Sequence, residues 1–241
     1  MPHLSYPNES AAYRAARDAL LSQEIALRRQ IEAVAAQRRA LPPGGEIPED
    51  YSFERIGENG MPEIVPMSSL FGPHRTMILY SFMYGPGSDT PCPMCTHLLD
   101  SVHGGARHAG QRAALYVVAK SPIARLVAWA RVRGWDHFQF LSTSGNSYDA
   151  DYFGDSSRVP EAIRRRRDPE GGPDWDETMF NVFRLHDDGK IRHFWGSELT
   201  WAPEEPGQHH RSGDLVNALW GLLDMTPEGR GDFRPRLAYA T

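Results

Sequence analysis

The feature that most constrains the fold of this chain is an apolar run that leads directly into a pair of cysteines. The run covers residues 76–84 and reads Thr-Met-Ile-Leu-Tyr-Ser-Phe-Met-Tyr. An almost continuous apolar run of this length is typical of a strand buried on both faces of a sheet. Cys92 and Cys95 follow in the motif Cys-Pro-Met-Cys. We therefore expect the cysteines at a corner where a central strand passes into a helix.

Strands and helices are predicted to alternate after this motif. The predicted elements are strand 76–84, a helix from Pro93 to about His103, strand 113–119, a helix from Pro122 to Arg133 closed by Gly134, strand 137–141, a hairpin of strands 179–185 and 191–195, and a last helix from 212 or 213 to about Asp224 with Leu215, Leu219, Leu222 and Leu223 turned inward. Strand-helix-strand repeats favour parallel pairing with right-handed crossovers. The order βαβαββα predicts an α/β, thioredoxin-like fold with a mixed central sheet.

The chain is predicted to begin with a separate helical arm. Residues from about Asn8 to Leu41 have apolar side chains recurring on one helical face, with Asn8 or Ser10 as the cap and Pro42-Pro43-Gly44-Gly45 as the end. The predicted regions are the N-terminal helical arm at 1–45, the thioredoxin-like domain at 46–230, a polar insertion at about 142–175 before the C-terminal hairpin, and a C-terminal tail at 231–241. The arm is expected to pack on the domain or on a second subunit, and so to support a homodimer.

Composition and charge narrow the function classes. A formal net charge of −5 offers no field that would gather nucleic acid or an anionic membrane, although Arg164–Arg167 form one local positive run. No stretch is apolar enough to span a bilayer, and the first residues lack the order of a secretory signal. The sequence therefore predicts a cytoplasmic protein with neither nucleic acid nor membrane as a partner.

The cysteine pair is the candidate catalytic site. Two cysteines three positions apart do not staple a distant loop, and a cytosolic address keeps most thiols reduced. At a helix start, unpaired N–H groups and the helix dipole favour the thiolate, which is the reactive species. Cys92 is therefore the predicted nucleophile, and Cys95 the resolving thiol that closes a disulfide with it. The expected partners are a disulfide-bearing substrate and an external thiol reductant.

Other interpretations of the pair remain open. Zinc half-sites use the same spacing, but a closed zinc site needs four ligands, so histidines would have to supply the rest. The candidates are His97, His103, His108, His193, His209 and His210, and Met94 would suit Cu(I). The cysteines could also be buried core residues, or remnants in a scaffold whose arm and aromatic surface bind a partner. Our leading interpretation includes no metal and no cofactor.

Several side chains are candidates for a substrate pocket over the sulfurs. They are residues of the motif, aromatic residues, and polar residues that the predicted strands and helices bring toward it: Tyr84, Pro93, Met94, His97, Tyr148, Tyr152, Thr178 and Trp195. Of these, we expect at least one of Tyr84, Tyr148, Tyr152 or Trp195 to approach the sulfurs, because aromatic side chains commonly line ligand pockets.

A set of short motifs, in order along almost the whole chain, resembles a known bacterial family. They are Ala16-Arg17-Asp18-Ala19-Leu20-Leu21, Phe82-Met83-Tyr84-Gly85-Pro86, Pro91-Cys92-Pro93-Met94-Cys95, Lys120-Ser121-Pro122, Arg133-Gly134-Trp135, Leu141-Ser142-Thr143-Ser144, Asp149-Ala150-Asp151-Tyr152 and Leu223-Asp224-Met225-Thr226-Pro227-Glu228-Gly229-Arg230. The chain is similar to the thioredoxin-like family catalogued as domain of unknown function 899. The resemblance implies a thioredoxin fold and a redox-active cysteine pair, and it leaves the substrate open.

The chain also departs from thioredoxins and peroxiredoxins. Thr178 or Met179 stands where thioredoxins carry a cis-proline, and strand 76–84 lacks their buried carboxylate. Either His97, Tyr84 or water moves the proton, or exchange is slow. Peroxiredoxins carry a threonine or serine three residues before the reactive cysteine, where this chain has Asp89. A reactive thiolate still reacts with peroxide, so the predicted substrate is a disulfide or a peroxide.

Overall fold

The structure is a computed structural model that describes residues 4–167, 169–170, 172 and 174–238. The first three residues of the predicted arm, three positions of the predicted insertion and the last three of the predicted tail lie outside the described residues. The chain divides into two compact units, Met1–Pro42 and Pro43–Thr241. Within the described ranges, no helix combines the length and the apolar character needed to cross a bilayer.

The first unit contains one long helix, α1 (Ala11–Arg39). It begins where predicted, because the Ser10 side chain accepts a hydrogen bond from the Tyr13 N–H at 3.1 Å and so caps the first turn. Arg38 and Arg39 lie in the last turn, where positive charge favours the helix dipole. The homodimer predicted through this helix stays a prediction.

The second unit is built on a seven-stranded mixed sheet in the order β2-β1-β5-β4-β3-β6-β7. The strands are β1 (Ser52–Ile56), β2 (Pro62–Pro66), β3 (Thr76–Ser81), β4 (Ala114–Ala119), β5 (Gln139–Ser142), β6 (Met179–Leu185) and β7 (Ile191–Gly196). The α-helices are α2 (Pro93–Ala109), α3 (Ile123–Arg133), α4 (Tyr148–Asp151), α5 (Glu161–Arg167) and α6 (Ala218–Leu223), and short 3₁₀ turns cover Met67–Phe71, Glu198–Trp201 and Asp214–Val216.

The pairing of the strands confirms the predicted thioredoxin-like fold. Strands β3, β4 and β5 pair in parallel and are joined through α2 and α3. Strand β6 pairs antiparallel with β3, and β7 extends the sheet through the predicted hairpin. Strand β3 is therefore central, and the chain that leaves its carboxyl end leads into α2.

Two apolar clusters lie on opposite faces of this sheet, because successive side chains of a strand alternate between faces. Along β3, Met77 and Leu79 belong to one cluster. Tyr80 belongs to the other, which also contains Cys95 from α2 and Leu126 from α3. The helices α2 and α3 therefore cover the face that carries the cysteines.

The N-terminal hairpin of the domain is missing from the sequence prediction. Residues 58–60 lie between β1 and β2, which pair antiparallel and extend the sheet past β5. Only Phe53 in β1 and Val65 in β2 are buried, so the alternation signal is short. Proline at both ends of β2 is compatible with an edge strand. In a sequence, however, proline argues against a strand, so this strand is hard to predict.

The predicted polar insertion contains secondary structure, and the last helix differs from expectation. The insertion forms α4 and α5 and buries Tyr148 and Asp149. The predicted final helix is broken at Asn217, which has an extended backbone and caps α6 through its side chain. Leu215 and Leu222, predicted to point inward, are exposed.

One glycine fixes the approach of the insertion to the sheet. A Cβ at Gly154 would lie 2.2 Å from Asp149 Oδ1 and 2.8 Å from Ser81 Oγ. We expect Gly154→Ala to lower the free energy of unfolding by about 1–3 kcal/mol, because crowding of this kind forces buried groups apart. Gly105→Ala is the matched control: it lies within α2 with open space around the added methyl group, and it should raise stability by about 0.5–1 kcal/mol. Chemical denaturation measures both, and a Gly154→Ala protein as stable as the parent contradicts the packing.

Candidate active site

Cys92 lies where the sequence predicts it, at the start of α2. It is the N-cap residue of that helix, and Pro93 occupies the first helical position, where its missing N–H costs no bond. The Cys92 N–H donates to the Met83 carbonyl at 3.0 Å, and the Cys92 carbonyl accepts from the Thr96 N–H at 3.0 Å and from the Thr96 hydroxyl at 2.9 Å. These bonds fix the backbone that carries the first sulfur.

The two thiols occupy different environments. Both are free, and Cys92 is half-buried while Cys95 is 3% exposed. The pKa of Cys92 is lowered to about 6, and the main cause is the hydrogen bond that the Cys95 thiol donates to the Cys92 sulfur. Burial opposes this shift. The N–H groups of Cys95 and Met94 and the charge of Arg167 also lower the pKa of Cys92. At neutral pH the Cys92 sulfur is therefore mostly thiolate, the form that attacks disulfides.

Cys95 shows the opposite shift. Its hydrogen bond to Cys92, its burial and the negative charge of the Cys92 sulfur raise the pKa of Cys95 well above its ordinary value. The Tyr80 hydroxyl opposes this rise by hydrogen bonding to the Cys95 sulfur, and it also accepts a hydrogen bond from the Thr178 hydroxyl at 2.9 Å. The pair thus consists of an ionised outer thiol and a protonated inner one, with a tyrosine at the inner sulfur.

The positive charge near Cys92 comes from the insertion. Arg167, the last residue of α5, pairs with Glu177 through Nε at 3.0 Å and donates to the Thr200 carbonyl at 2.8 Å. Glu177 is 4% exposed, so the ion pair is largely shielded from water. Of the arginine run that was predicted to form a local positive patch, this residue is the one that contributes to the electrostatics of Cys92.

Two clefts open onto the cysteines. The outer cleft has a volume of about 780 Å³ and is lined by Cys92 together with Pro93, Lys120, Thr143, Trp175 and Asp176 among others. The inner cleft has a volume of about 450 Å³, and both cysteines line it. Cys92 therefore borders both clefts, and a substrate in either one can meet its sulfur.

A buried carboxyl group lies behind the outer cleft. Burial raises the pKa of Asp149 to about 7, although the Thr143 hydroxyl donates to it and Lys120 lies near. Lys120 itself pairs with Asp176 at 2.8 Å and with Asp155 at 3.4 Å. The chain therefore does hold a buried carboxyl group near the site, but the insertion supplies it and β3 does not.

Four of the predicted pocket residues line these clefts. Met94, His97 and Thr178 line the inner cleft with the cysteines, and Pro93 lines the outer one. Burial lowers the pKa of His97, which favours its neutral form. Its ring meets the edge of Trp220 at a centroid distance of 5.3 Å. These four residues stay candidates for substrate contact.

The other four predicted pocket residues lie elsewhere. Tyr148 belongs to the apolar cluster on the opposite face of the sheet from Cys95, and Tyr152 packs against that cluster. Tyr84 is buried under the Arg125 guanidinium, which lies 4.4 Å from its ring centroid. Trp195, in β7, pairs with Val182 of β6 and is not among the residues that line either cleft. Tyr80, an aromatic residue outside the predicted set, hydrogen bonds to the Cys95 sulfur.

The histidines predicted as metal ligands do not gather at the cysteines. Among the described residues, the group of three ligand atoms within 4.8 Å of one another is His103, Asp136 and His137, which includes neither cysteine. The His103 Nε2 atom already accepts the His137 N–H at 3.1 Å. His209 and His210 do line the inner cleft, but they complete no such group with the sulfurs.

Sequence reasoning missed three parts of the site. Strand periodicity could have indicated Tyr80, because it alternates with Leu79 and so points toward the helix that carries Cys95. No pattern in the sequence distinguishes Arg167 from the three arginines that precede it. The segment 231–234, predicted as a tail, lines the inner cleft, and Arg230 anchors it by ion pairs with Asp214 and Asp224.

The sheet order and the cysteine pair at the start of the helix after the central strand define a class, the thioredoxin-like α/β proteins. Within it, the chain belongs to the family described as "Bacterial protein of unknown function (DUF899)", whose model matches residues 3–239. The resemblance predicted from the short motifs is therefore confirmed. No curated protein matches this chain in sequence.

Solved structures with a similar fold are more distant. The exposed lipoprotein thioredoxin Etrx1 from Streptococcus pneumoniae strain TIGR4 is 14% identical, with 68% of this chain and 95% of that chain covered and a TM-score of 0.36. Reduced Prx3 in complex with H₂O₂ from Vibrio vulnificus is 13% identical, covering 70% and 91%, with a TM-score of 0.40. The soluble domain of Sco1 from Bacillus subtilis is 14% identical, covering 76% and 97%, with a TM-score of 0.35. These likenesses concern the fold alone.

The contribution of Cys95 to the ionisation of Cys92 can be measured directly. We expect Cys95→Ala to raise the pKa of Cys92 from about 6 toward the ordinary thiol value of about 8.5, because the strongest hydrogen bond to the sulfur is lost. Cys95→Ser keeps a hydroxyl donor and should raise it less. Ultraviolet absorbance of the thiolate, followed against pH, gives the pKa in each variant. Equal values in the two variants would contradict the assigned bond.

Proposed function

We propose that this protein is a thiol–disulfide oxidoreductase in which Cys92 attacks and Cys95 resolves. One observation carries the proposal: the hydrogen bond between the two thiols and the N–H groups of the helix start lower the pKa of Cys92 to about 6, while the pKa of the buried Cys95 is raised. A nucleophile that is ionised at neutral pH beside a thiol that keeps its proton is the arrangement that a two-step exchange needs.

In the first step the Cys92 thiolate attacks one sulfur of the substrate disulfide. A bond forms between the Cys92 sulfur and that atom, the substrate S–S bond breaks, and the other substrate sulfur leaves as a thiolate. Exposure supports this order, since Cys92 is half-buried and borders both clefts, whereas Cys95 is buried.

In the second step Cys95 attacks the sulfur of Cys92 and releases the remaining half of the substrate. Cys95 must first lose its proton, and the leaving thiolate can take it up, so the overall change is oxidation of the dithiol and reduction of the substrate to two thiols. Tyr80 hydrogen bonds to the Cys95 sulfur and lowers its pKa, which favours the attacking form. An external thiol reductant then restores the dithiol.

A peroxide is the second candidate oxidant for the same pair of cysteines. The Cys92 thiolate would attack one peroxide oxygen, the O–O bond would break, and the other oxygen would leave as hydroxide or alkoxide, so that Cys92 becomes a sulfenic acid. Cys95 would then attack the sulfenic sulfur, and its proton would leave with the hydroxyl group as water, which forms the same disulfide. Both substrates convert the protein to the same Cys92–Cys95 disulfide, so the final state does not distinguish them. A disulfide substrate is tested first, because it forms a mixed disulfide that can be detected.

The stoichiometry of one turnover tests the proposal. With the neutral probe 2-hydroxyethyl disulfide, the reduced protein should release two equivalents of thiol and end with a Cys92–Cys95 disulfide. Cys95→Ser should release one equivalent and keep a mixed disulfide on Cys92, which mass spectrometry locates. Cys92→Ser should react at least about 100-fold more slowly, because its remaining thiol is buried and protonated.

Other outcomes would reject the proposal. A Cys92→Ser variant that reacts as fast as the parent would exclude Cys92 as the nucleophile. A parent protein that releases one equivalent and holds a stable mixed disulfide would exclude resolution by Cys95. Circular dichroism of each variant establishes that it is folded before its rate is compared.

A further inference from the structure

The charged side chains of the inner cleft divide into those that are paired and those that are free. Arg167 pairs with Glu177. Arg230 pairs with Asp214 at 2.8 Å and with Asp224 at 2.5 Å, and Arg211 bridges the same two carboxylates. The charges of these groups are therefore satisfied within the protein and do not call for a ligand.

Two further charges line the same cleft and have no such partner. Asp232 and Arg234 are exposed side chains of the segment that lines the inner cleft. Within the part of the chain that the structure describes, neither makes a hydrogen bond or an ion pair. One free carboxylate and one free guanidinium thus stand two residues apart, in a cavity that both cysteines also line.

The rest of the cleft wall combines polar side chains with an apolar part around Trp220. Trp220 makes edge-to-face contacts with Phe233, at a centroid distance of 6.5 Å, and with His97, at 5.3 Å. Tyr80 and Leu98 belong to the buried cluster around Cys95 and line the same cleft. A ligand that fits this lining has a short apolar stem, with its charges directed toward the free pair and away from the sulfurs.

The size of the cleft limits the ligand. Its volume of about 450 Å³ lies toward the lower end of the range for small-molecule sites. This volume admits a molecule of amino-acid size on each side of a disulfide bond, and it leaves little room for a folded protein surface. Because Cys92 lines this cleft, a disulfide bound in it meets the attacking sulfur, and the buried Cys95 then attacks Cys92 from within the protein.

From these observations we infer that the substrate is a low-molecular-weight disulfide of an α-amino acid. Its carboxylate binds the Arg234 guanidinium and its ammonium group binds the Asp232 carboxylate, while its methylene and sulfur atoms lie along the apolar wall. Arginine is suited to a carboxylate because its planar N–H groups match the two oxygens. The inference rests on the proposed function, for which it names the substrate class.

The reaction with such a substrate is balanced without a further reactant. The Cys92 thiolate attacks one sulfur of the disulfide, the S–S bond breaks, and the first amino-acid thiolate leaves. Cys95 then gives up its proton and attacks the Cys92 sulfur, and the second amino-acid thiol departs. The dithiol of the protein is oxidised, and one disulfide is reduced to two amino-acid thiols.

Four small disulfides that differ in charge test the inference. The probes are cystine, with both groups; cystamine, with ammonium alone; 3,3′-dithiodipropionate, with carboxylate alone; and 2-hydroxyethyl disulfide, with neither. The rate constant for each with the reduced protein at pH 7 is divided by its rate constant with free 2-mercaptoethanol, which removes differences in intrinsic reactivity. We expect cystine to give the largest ratio, by about tenfold over each singly charged probe, which corresponds to about 1.4 kcal/mol for the additional charged contact.

Two variants assign the preference to the two residues. Arg234→Gln should remove the preference for cystine over cystamine, and Asp232→Asn the preference for cystine over dithiodipropionate, each by about tenfold. Arg236→Gln and Glu228→Gln are the matched controls, because both residues are exposed and neither lines the cleft. The controls should keep both preferences.

Each remaining outcome overturns a defined claim. If all four probes give equal ratios and the parent still releases two equivalents of thiol, the inference fails while the proposed function stands. The inference also fails if Arg234→Gln and Arg236→Gln change the preferences equally. If 2-hydroxyethyl disulfide yields no Cys92–Cys95 disulfide at all, the proposed function fails, and the inference fails with it.

Discussion

The hydrogen bond from the Cys95 thiol to the Cys92 sulfur is the interaction on which the rest of the site depends. Cys92 is the N-cap residue of α2 and Cys95 lies three positions further along the same helix, which places the second thiol on the side of the first sulfur. Burial opposes this ionisation, and the hydrogen bonds outweigh it. The same bond keeps the proton on Cys95. One contact therefore sets the ionisation states of both thiols.

The surrounding chain adds charge and shape to this corner. The insertion contributes Arg167 near Cys92 and the buried carboxyl group of Asp149 behind the outer cleft. The C-terminal segment contributes the wall of the inner cleft and is anchored by Arg230. The fold thus supplies the cysteine corner, and the segments outside the repeated strand-helix units supply most of the side chains that a substrate would meet.

The sequence predicts the parts of this arrangement that have a local physical signal. The apolar run of β3, the helix start at Cys92 and the glycine stop at Gly134 are local in this sense, and the structure confirms them. The β1–β2 hairpin has one buried apolar side chain per strand, which is too little for periodicity to register.

Contacts that join distant segments escape such reasoning. Tyr148 was one of four aromatic residues of which at least one was expected at the sulfurs, yet the insertion carries it to the opposite face of the sheet. Arg167 reaches Cys92 across many residues, and its neighbours in the sequence have the same chemistry. The partner of a side chain across the fold cannot be predicted from its own type and spacing.

The central claim is that Cys92 is a thiolate at neutral pH. The most direct measurement is the rate of iodoacetamide alkylation of the reduced parent protein against pH, with the modified residue located by mass spectrometry. The account predicts that Cys92 is the residue modified and that its rate rises through a midpoint near pH 6. A midpoint at the ordinary thiol value of about 8.5, or modification of Cys95 first, would contradict it.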